Sequence, residues 1–275
     1  MKATSIFNFL LGLSLLFLPA TALAAEPLRI IAGTSLISDI VADLTQGKSQ
    51  ILTLIQGSSC PGHENASTGD YVFAAKANLL IIHPFQRNLH QVSAMIAAVD
   101  NRALKIVEVS PRGSWLIPEI QKQAVAEIAA ALEQAAPDTV QHIRQQARLR
   151  LQKIDAVGTE CRAQLAAQHG KRVISANMQA DFARWAGLEV VQTFGRAEDI
   201  NARALTDILS AVKNTPVSGV IDNYQSGADA GLPLALELGV AHVVLSNFPG
   251  SSDDAPDYFS LLRHNVQQLQ SLAKQ

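Results

Sequence analysis

The 275-residue chain lacks several features that mark particular classes of protein. It has only two cysteines, Cys60 and Cys161, far apart in sequence, so a disulfide framework does not stabilise it. Its net charge of −2 does not favour general binding to nucleic acid or anionic membranes. It has no glycine-rich phosphate loop, no H-E-x-x-H helix and no Gly-x-Ser-x-Gly elbow. These absences give an enzymatic function little support.

No apolar run in the sequence is long enough for a comfortable membrane span. Lys2 precedes an apolar stretch at residues 7–18, and Ala22, Leu23 and Ala24 form a small-x-small cleavage site. This pattern predicts a secretory signal peptide at residues 1–24. The apolar stretch is too short for a comfortable transmembrane helix, and no lipoprotein cysteine stands at the cleavage point. We therefore expect an exported, free periplasmic protein.

Strand and helix patterns alternate along the rest of the chain. Residues 28–32 (LRIIA) predict a strand, and residues 35–44 place apolar side chains at helical spacing before Gly47. The same alternation continues to residue 109 and resumes from residue 172 to the closing helix at residues 258–273. Alternation of this kind predicts an α/β fold with parallel sheets and right-handed crossovers.

A long helical pattern separates the two alternating regions. Pro137 and Asp138 begin it, Gly170 ends it, and an apolar stripe that includes Cys161 runs along it. About 30 residues at 1.5 Å each span roughly 45 Å, which is the length of a domain. We expect an N-terminal lobe at residues 25–136, a linker helix at 137–169 and a C-terminal lobe at 170–275. A stiff linker predicts a small closing motion, and Gly158 is a weak point where it could bend.

The loop at residues 58–70 (SSCPGHENASTGD) is unusually rich in residues that bind metals or form turns. The simpler interpretation is turn chemistry, since Pro61 and Gly62 interrupt regular structure. The alternative is a ligand site, with Cys60 and His63 on either side of the turn. The loop alone does not decide between them.

Other candidate residues follow predicted strands, where open parallel sheets bind their ligands. Nitrogen, oxygen and sulfur donors from both lobes can meet there, and zinc accepts this mixture. The candidate metal ligands are Cys60, His63, His83, Asn177 and Asp222. Each has a structural alternative: His83 shapes a strand end, Cys60 is a small loop residue or pairs with Cys161, and Asp222 forms a turn with Asn223.

Several segments resemble the solute-binding proteins of zinc and manganese ABC transporters, the ZnuA/TroA-like family. The resemblance is carried by the opening LRIIAGTSLISDIVADLTQGKSQILTLIQG, by SWLIPEIQKQAVAEIAAAL, by ADFARWAGLEVV and by the closing DYFSLLRHNVQQLQSLAK. It covers nearly all of the mature chain. It implies two lobes of parallel sheet joined by one long helix, a divalent metal such as zinc bound between them, a permease partner in the inner membrane, and a monomer.

The chain departs from that family at two of its four metal ligands. The resemblance places the first ligand at His63 and the fourth at Asp222. The second falls at Gly113, and the third falls at Ala176 or Asn177. Either Cys60, His83 or His90 restores the site, or the chain binds a metal chelate or a small organic ligand. A metal-dependent hydrolase is a more distant alternative.

Overall fold

The structure, a computed structural model, describes residues 26–60 and 66–273. The predicted signal peptide at residues 1–24 lies outside the described residues, as does His63. Eight strands are found in the described part of the chain: β1 (Leu28–Thr34), β2 (Ser49–Ile55), β3 (Leu79–Ile82), β4 (Lys105–Glu108), β5 (Arg172–Ala176), β6 (Glu189–Phe194), β7 (Gly219–Asn223) and β8 (Ala241–Leu245).

Helices alternate with these strands in both halves of the chain. The described α-helices are α1 (Ser35–Thr45), α2 (Thr68–Ala74), α3 (His90–Ala98), α4 (Pro118–Ala135), α5 (Val140–Gln164), α6 (Ala180–Trp185), α7 (Ala202–Val212), α8 (Leu232–Leu238) and α9 (Tyr258–Gln270). Among the described helices, none is both long enough and apolar enough to cross a bilayer.

The strands form two four-stranded sheets, and every pairing within them is parallel. The orders are β2-β1-β3-β4 and β6-β5-β7-β8, so the two halves have the same topology. The predicted α/β fold is therefore confirmed. Chain connectivity reverses between β1 and β3 in the first sheet and between β5 and β7 in the second. Crevices form at such points, beyond the carboxyl ends of the strands.

Helix α5 is the long helix expected between the two halves, and it is shorter than the sequence pattern suggested. A 3₁₀ turn at Pro137–Thr139 precedes it, and another at Ala166–Gln168 follows it, so 25 residues are α-helical. Gly158 lies inside it, where a Cβ atom would approach Pro118 Cγ to 2.9 Å. The glycine therefore allows the start of α4 to pack closely on α5.

The core extends through both halves of the molecule. One cluster of buried apolar side chains joins residues of both sheets to α5 and the C-terminal helix α9. Tyr258, at the start of α9, is fully buried, and its hydroxyl donates a hydrogen bond to Leu116 O at 3.1 Å. Its backbone N–H points to Asp39 Oδ2 of α1, 3.4 Å away. The last helix thus packs against the first half of the chain.

Candidate functional site

A cavity of about 640 Å³ lies between the carboxyl ends of the two sheets. The first half of the chain contributes Cys60, His83 and Trp115 to its lining, and the second half contributes residues that include Asn177 and Asn247. The topology explains its position, because both connectivity reversals face this space. The cavity is the candidate ligand site of the molecule.

His83 is the buried imidazole of the site. It follows β3, and its Nε2 lies 3.0 Å from the hydroxyl of Thr34, the last residue of β1. Its ring packs on Trp115, with 4.1 Å between the ring centroids, and stacks on Phe85 at 5.4 Å. Burial lowers the pKa of His83 to about 3. The imidazole is therefore neutral at neutral pH, which is the form that binds metals.

Gln86 holds the strand end that carries His83. Its Oε1 accepts a hydrogen bond from the backbone N–H of His83 at 3.0 Å, and its Nε2 donates to Gly33 O at 2.8 Å. A Cβ atom at Gly33 would overlap the Gln86 amide. This close approach links β1 to the turn after β3 and fixes the position of His83.

On the side of the second sheet, the site is built from amide side chains. Asn223 Oδ1 accepts hydrogen bonds from Gln179 Nε2 and from Asn247 Nδ2, both at 2.8 Å. Asn223 Nδ2 donates to Ser226 Oγ at 2.8 Å. Gln225 Nε2 donates to Gly57 O at 2.8 Å, which joins this network to the first half of the chain. The network is polar and neutral, and it supplies hydrogen bonds rather than charge.

Asp222 lies away from the cavity. Its carboxylate accepts hydrogen bonds from His242 Nε2 at 2.6 Å and from the backbone N–H of Gly231 at 2.8 Å. Burial raises the pKa of Asp222, although the hydrogen bond from His242 acts in the opposite direction. Successive side chains of a strand point to opposite faces, so Asn223 reaches the cavity lining while Asp222 does not.

Three other predicted ligands, Cys60, His83 and Asn177, all line the cavity. Both cysteines are free, Cys60 half-buried and Cys161 buried. Burial raises the pKa of the Cys161 thiol to about 11, so this cysteine is unreactive at neutral pH. The structure does not test His63, and in the described part of the chain no three His, Cys, Asp or Glu side chains are grouped to hold a metal.

Gly113, at the place of the second family ligand, has a backbone that disfavours any side chain. Its φ is +94°, in the left-handed region, and a Cβ atom would lie 3.0 Å from Ile120 Cδ1. Gly113 itself lines the cavity, so this position offers no side chain that could bind a ligand.

Two arginines of the lining were not among the residues predicted from the sequence. Arg112 lies between β4 and α4, and Arg196 lies between β6 and α7, so each half of the chain contributes one. The sequence did contain a signal for them, because each arginine follows a strand, β4 or β6, at the same sheet edge as the other site residues. Irregular loops carry no periodic pattern, so the direction of these side chains was not predictable.

Two parallel sheets that border one cavity define a two-lobed α/β protein with a candidate ligand site between its halves. A sequence model of the family "zinc-uptake complex component A periplasmic", ZnuA, matches residues 30–272. The chain belongs to this family. Its members are periplasmic solute-binding proteins and not enzymes. Among curated proteins, no sequence match of significance was found.

Solved structures show the same fold at low sequence identity. A periplasmic metal binding protein from candidatus Liberibacter asiaticus is 15% identical, with a TM-score of 0.76 over 88% of this chain and 98% of that chain. Its cadmium-bound form matches with a TM-score of 0.76 and its manganese-bound form with 0.72. A mutant of the laminin-binding adhesin Lmb from Streptococcus agalactiae is 16% identical, with a TM-score of 0.72 over 90% of this chain and 100% of that chain.

Proposed function

We propose that this protein captures a divalent metal in the periplasm and delivers it to an ABC transporter in the inner membrane. Zinc is the first metal to test. Membership of the ZnuA family supports the proposal, as do the manganese-bound and cadmium-bound forms of a protein with the same fold. The cargo would be bound in the cavity between the two sheets.

The observation that carries this proposal is that His83 and Cys60 line one cavity at the carboxyl ends of both sheets. A neutral imidazole and a thiolate are good zinc ligands, and the amide oxygen of Asn177 lies in the same lining. His63, three residues after Cys60, would complete the donor set. Asp222, already bonded to His242, would have a structural role.

The division into lobes is part of the proposal. Residues 25–136 and 170–275 would act as the two lobes, and residues 137–169 as the linker between them. We propose that the protein acts as a monomer, since each chain carries lining residues from both sheets. Helix α5 contacts α1, α4 and α9, so we expect the lobes to close by a small angle.

Metal content and affinity test the proposal directly. The mature chain, purified without chelator, should contain close to one equivalent of metal by mass spectrometry, and calorimetry should give saturable zinc binding at one site. His83→Gln and Cys60→Ser should each weaken zinc binding about tenfold or more. His90→Gln is the matched control, because His90, a candidate from the sequence, is exposed and is not among the described lining residues of the cavity.

The site is supported if the His83 and Cys60 variants bind zinc more weakly while the His90 control variant keeps the wild-type affinity. Equal zinc affinity in all four proteins would reject it.

Delivery requires a second measurement, because binding alone does not show transport. Cells that express the protein should accumulate more zinc from a limiting medium than cells without it, and His83→Gln should reduce that difference.

A further inference from the structure

The charge of the cavity lining does not suit a bare cation. Arg112 and Arg196 are both lining residues, whereas Asp181 is the one carboxylate that the described lining contains. Asp181 Oδ1 is already paired with Arg184 at 3.2 Å, and Arg184 is not among the lining residues. Two residues whose guanidinium groups are always protonated therefore border the space in which a dication would sit. Like charges in a partly dehydrated site repel, so the described lining favours an anion.

Few carboxylates neutralise the positive charges of the two arginines. Arg196 has one carboxylate neighbour, Glu198, at 3.6 Å, and this pair is exposed to solvent. Arg112 is exposed and has no carboxylate partner among the described residues. Because one arginine belongs to each half of the chain, a ligand with two separated anionic groups can contact both. Guanidinium groups bind carboxylates through paired, charge-assisted hydrogen bonds.

The size and lining of the cavity suit an organic molecule. Its volume of about 640 Å³ lies in the range of small-molecule sites, roughly 300–1,000 Å³. Apolar side chains cover much of the lining, and these include Phe85, Trp115, Met178 and Phe248. Phe85 is 52% exposed and Met178 49% exposed, although both are apolar. Flat apolar surfaces of this kind bind an aromatic or aliphatic framework.

The amide network supplies the remaining recognition. Asn177, Asn223, Gln225 and Asn247 all line the cavity, and they offer neutral hydrogen-bonding groups without a negative charge. Gly113, which has no side chain, belongs to the same lining as Arg112 and Trp115. Neutral and positive surfaces together match a polar organic anion better than they match an ion stripped of its water.

We propose that the cargo is a divalent metal held by a small polycarboxylate chelator, with the carboxylates on Arg112 and Arg196 and the framework against Trp115. This inference rests on the proposed function, because it keeps a metal as part of the cargo. The metal would reach His83 or Cys60 through coordination positions that the chelator leaves open. In cargo recognition, the arginines would then replace the two family ligands that are missing, one at Gly113 and one at Ala176 or Asn177.

The test compares zinc alone, pyridine-2,6-dicarboxylate alone, and their one-to-one complex. Trp115 is the reporter, since its indole lines the cavity, and Trp185→Phe removes the only other tryptophan. In this background the complex should bind at least ten times more tightly than zinc alone. Arg112→Gln and Arg196→Gln should each weaken binding of the complex about tenfold, and should leave zinc alone unaffected or bound more tightly. Arg148→Gln, an exposed arginine of α5, is the matched control.

Each result separates this inference from the proposed function. Tight binding of zinc alone, with no effect of either arginine variant, would overturn the chelate and leave the metal-binding function standing. Equal binding of the dicarboxylate with and without zinc would overturn both, because the cargo would then be an organic anion. Failure of the complex to bind would also overturn the chelate, and the zinc titration would decide the proposed function independently.

Discussion

The imidazole of His242 hydrogen-bonds the carboxylate of Asp222 across 2.6 Å, on neighbouring strands and away from the cavity. Asp222 is fully buried, so both its oxygens depend on partners within the protein. The position that the family resemblance gives to a metal ligand therefore serves a structural contact in this chain. The next residue, Asn223, lines the cavity instead.

Replacing Asp222 should change stability and not cargo binding. Asp222→Asn loses the charged partner of His242 and weakens the contact with Gly231, so we expect a loss of about 1–3 kcal/mol in the free energy of unfolding. Urea denaturation measures this loss, and zinc calorimetry on the folded variant measures binding. A variant that is fully stable but no longer binds zinc would make Asp222 a ligand after all.

Arg150 of the long helix should be a major contributor to stability. Its side chain is 1% exposed and forms ion pairs at 2.5 Å with Asp39 and Asp43 of α1. Arg150→Met leaves Asp39 buried without its partner, and burial already raises the pKa of Asp39. We expect a loss of about 3 kcal/mol in unfolding free energy. Arg148→Met, on an exposed position of the same helix, should cost less than about 0.5 kcal/mol.

The buried imidazole of His83 should make the protein sensitive to acid. In the unfolded chain its pKa is near 6.5, and in the folded protein burial lowers it to about 3. Between these values the unfolded chain binds one more proton than the folded protein. Stability is therefore full above pH 6.5 and falls as the pH drops toward 3, by up to about 1.4 kcal/mol per pH unit.

The slope of stability against pH isolates this contribution. Denaturation curves at several pH values should fall less steeply for His83→Gln than for wild type over that window. The exposed control, His90→Gln, should keep the wild-type slope. Parallel curves for wild type and His83→Gln would show that His83 is not buried in its neutral form.

Gly57 lies at a close contact between the two halves of the chain. A Cβ atom at this position would overlap the backbone at Pro249 and Gly250, and Gly57 O accepts from Gln225. Gly57→Ala should therefore force the lobes apart. We expect weaker cargo binding and a larger radius of gyration by small-angle scattering. Gly69→Ala, where a Cβ meets only Ser67 Oγ at 3.6 Å, should change neither.

The two thiols should differ sharply in reactivity. Cys60 is half-buried at the cavity, while Cys161 is buried with a raised pKa. The native protein should therefore titrate with one thiol, and saturating zinc should protect it. Cys60→Ser should remove that thiol entirely. Rapid reaction of Cys60 in the presence of zinc would exclude it as a ligand.

The fold was predictable from the sequence because each element carries a periodic pattern. The alternating segments around the long helix became the eight described strands, and Pro137 marks the 3₁₀ turn that leads into α5. The parallel topology also predicted that the site lies at the carboxyl ends of the strands. His83, Cys60 and Asn177 were expected there, and they line one cavity.

The composition of the site was less predictable, because it depends on side-chain directions. A shift of one residue along β7 separates Asp222 from Asn223, and no pattern in VIDNY shows which of them faces the cavity. Arg112 and Arg196 lie in irregular loops, where the spacing of residues does not show which way a side chain points. The left-handed backbone of Gly113 likewise cannot be inferred from a glycine in the sequence alone.

The docking of α9 on the first half of the chain has a consequence for the order of folding. Tyr258, near the C-terminus, hydrogen-bonds Leu116, and the apolar core includes α9 together with residues of β1 and α1. The first lobe therefore lacks part of its core until the last helix has emerged. A chain interrupted before residue 258 would expose this unfinished core, so we expect the protein to reach its native state only after synthesis is complete.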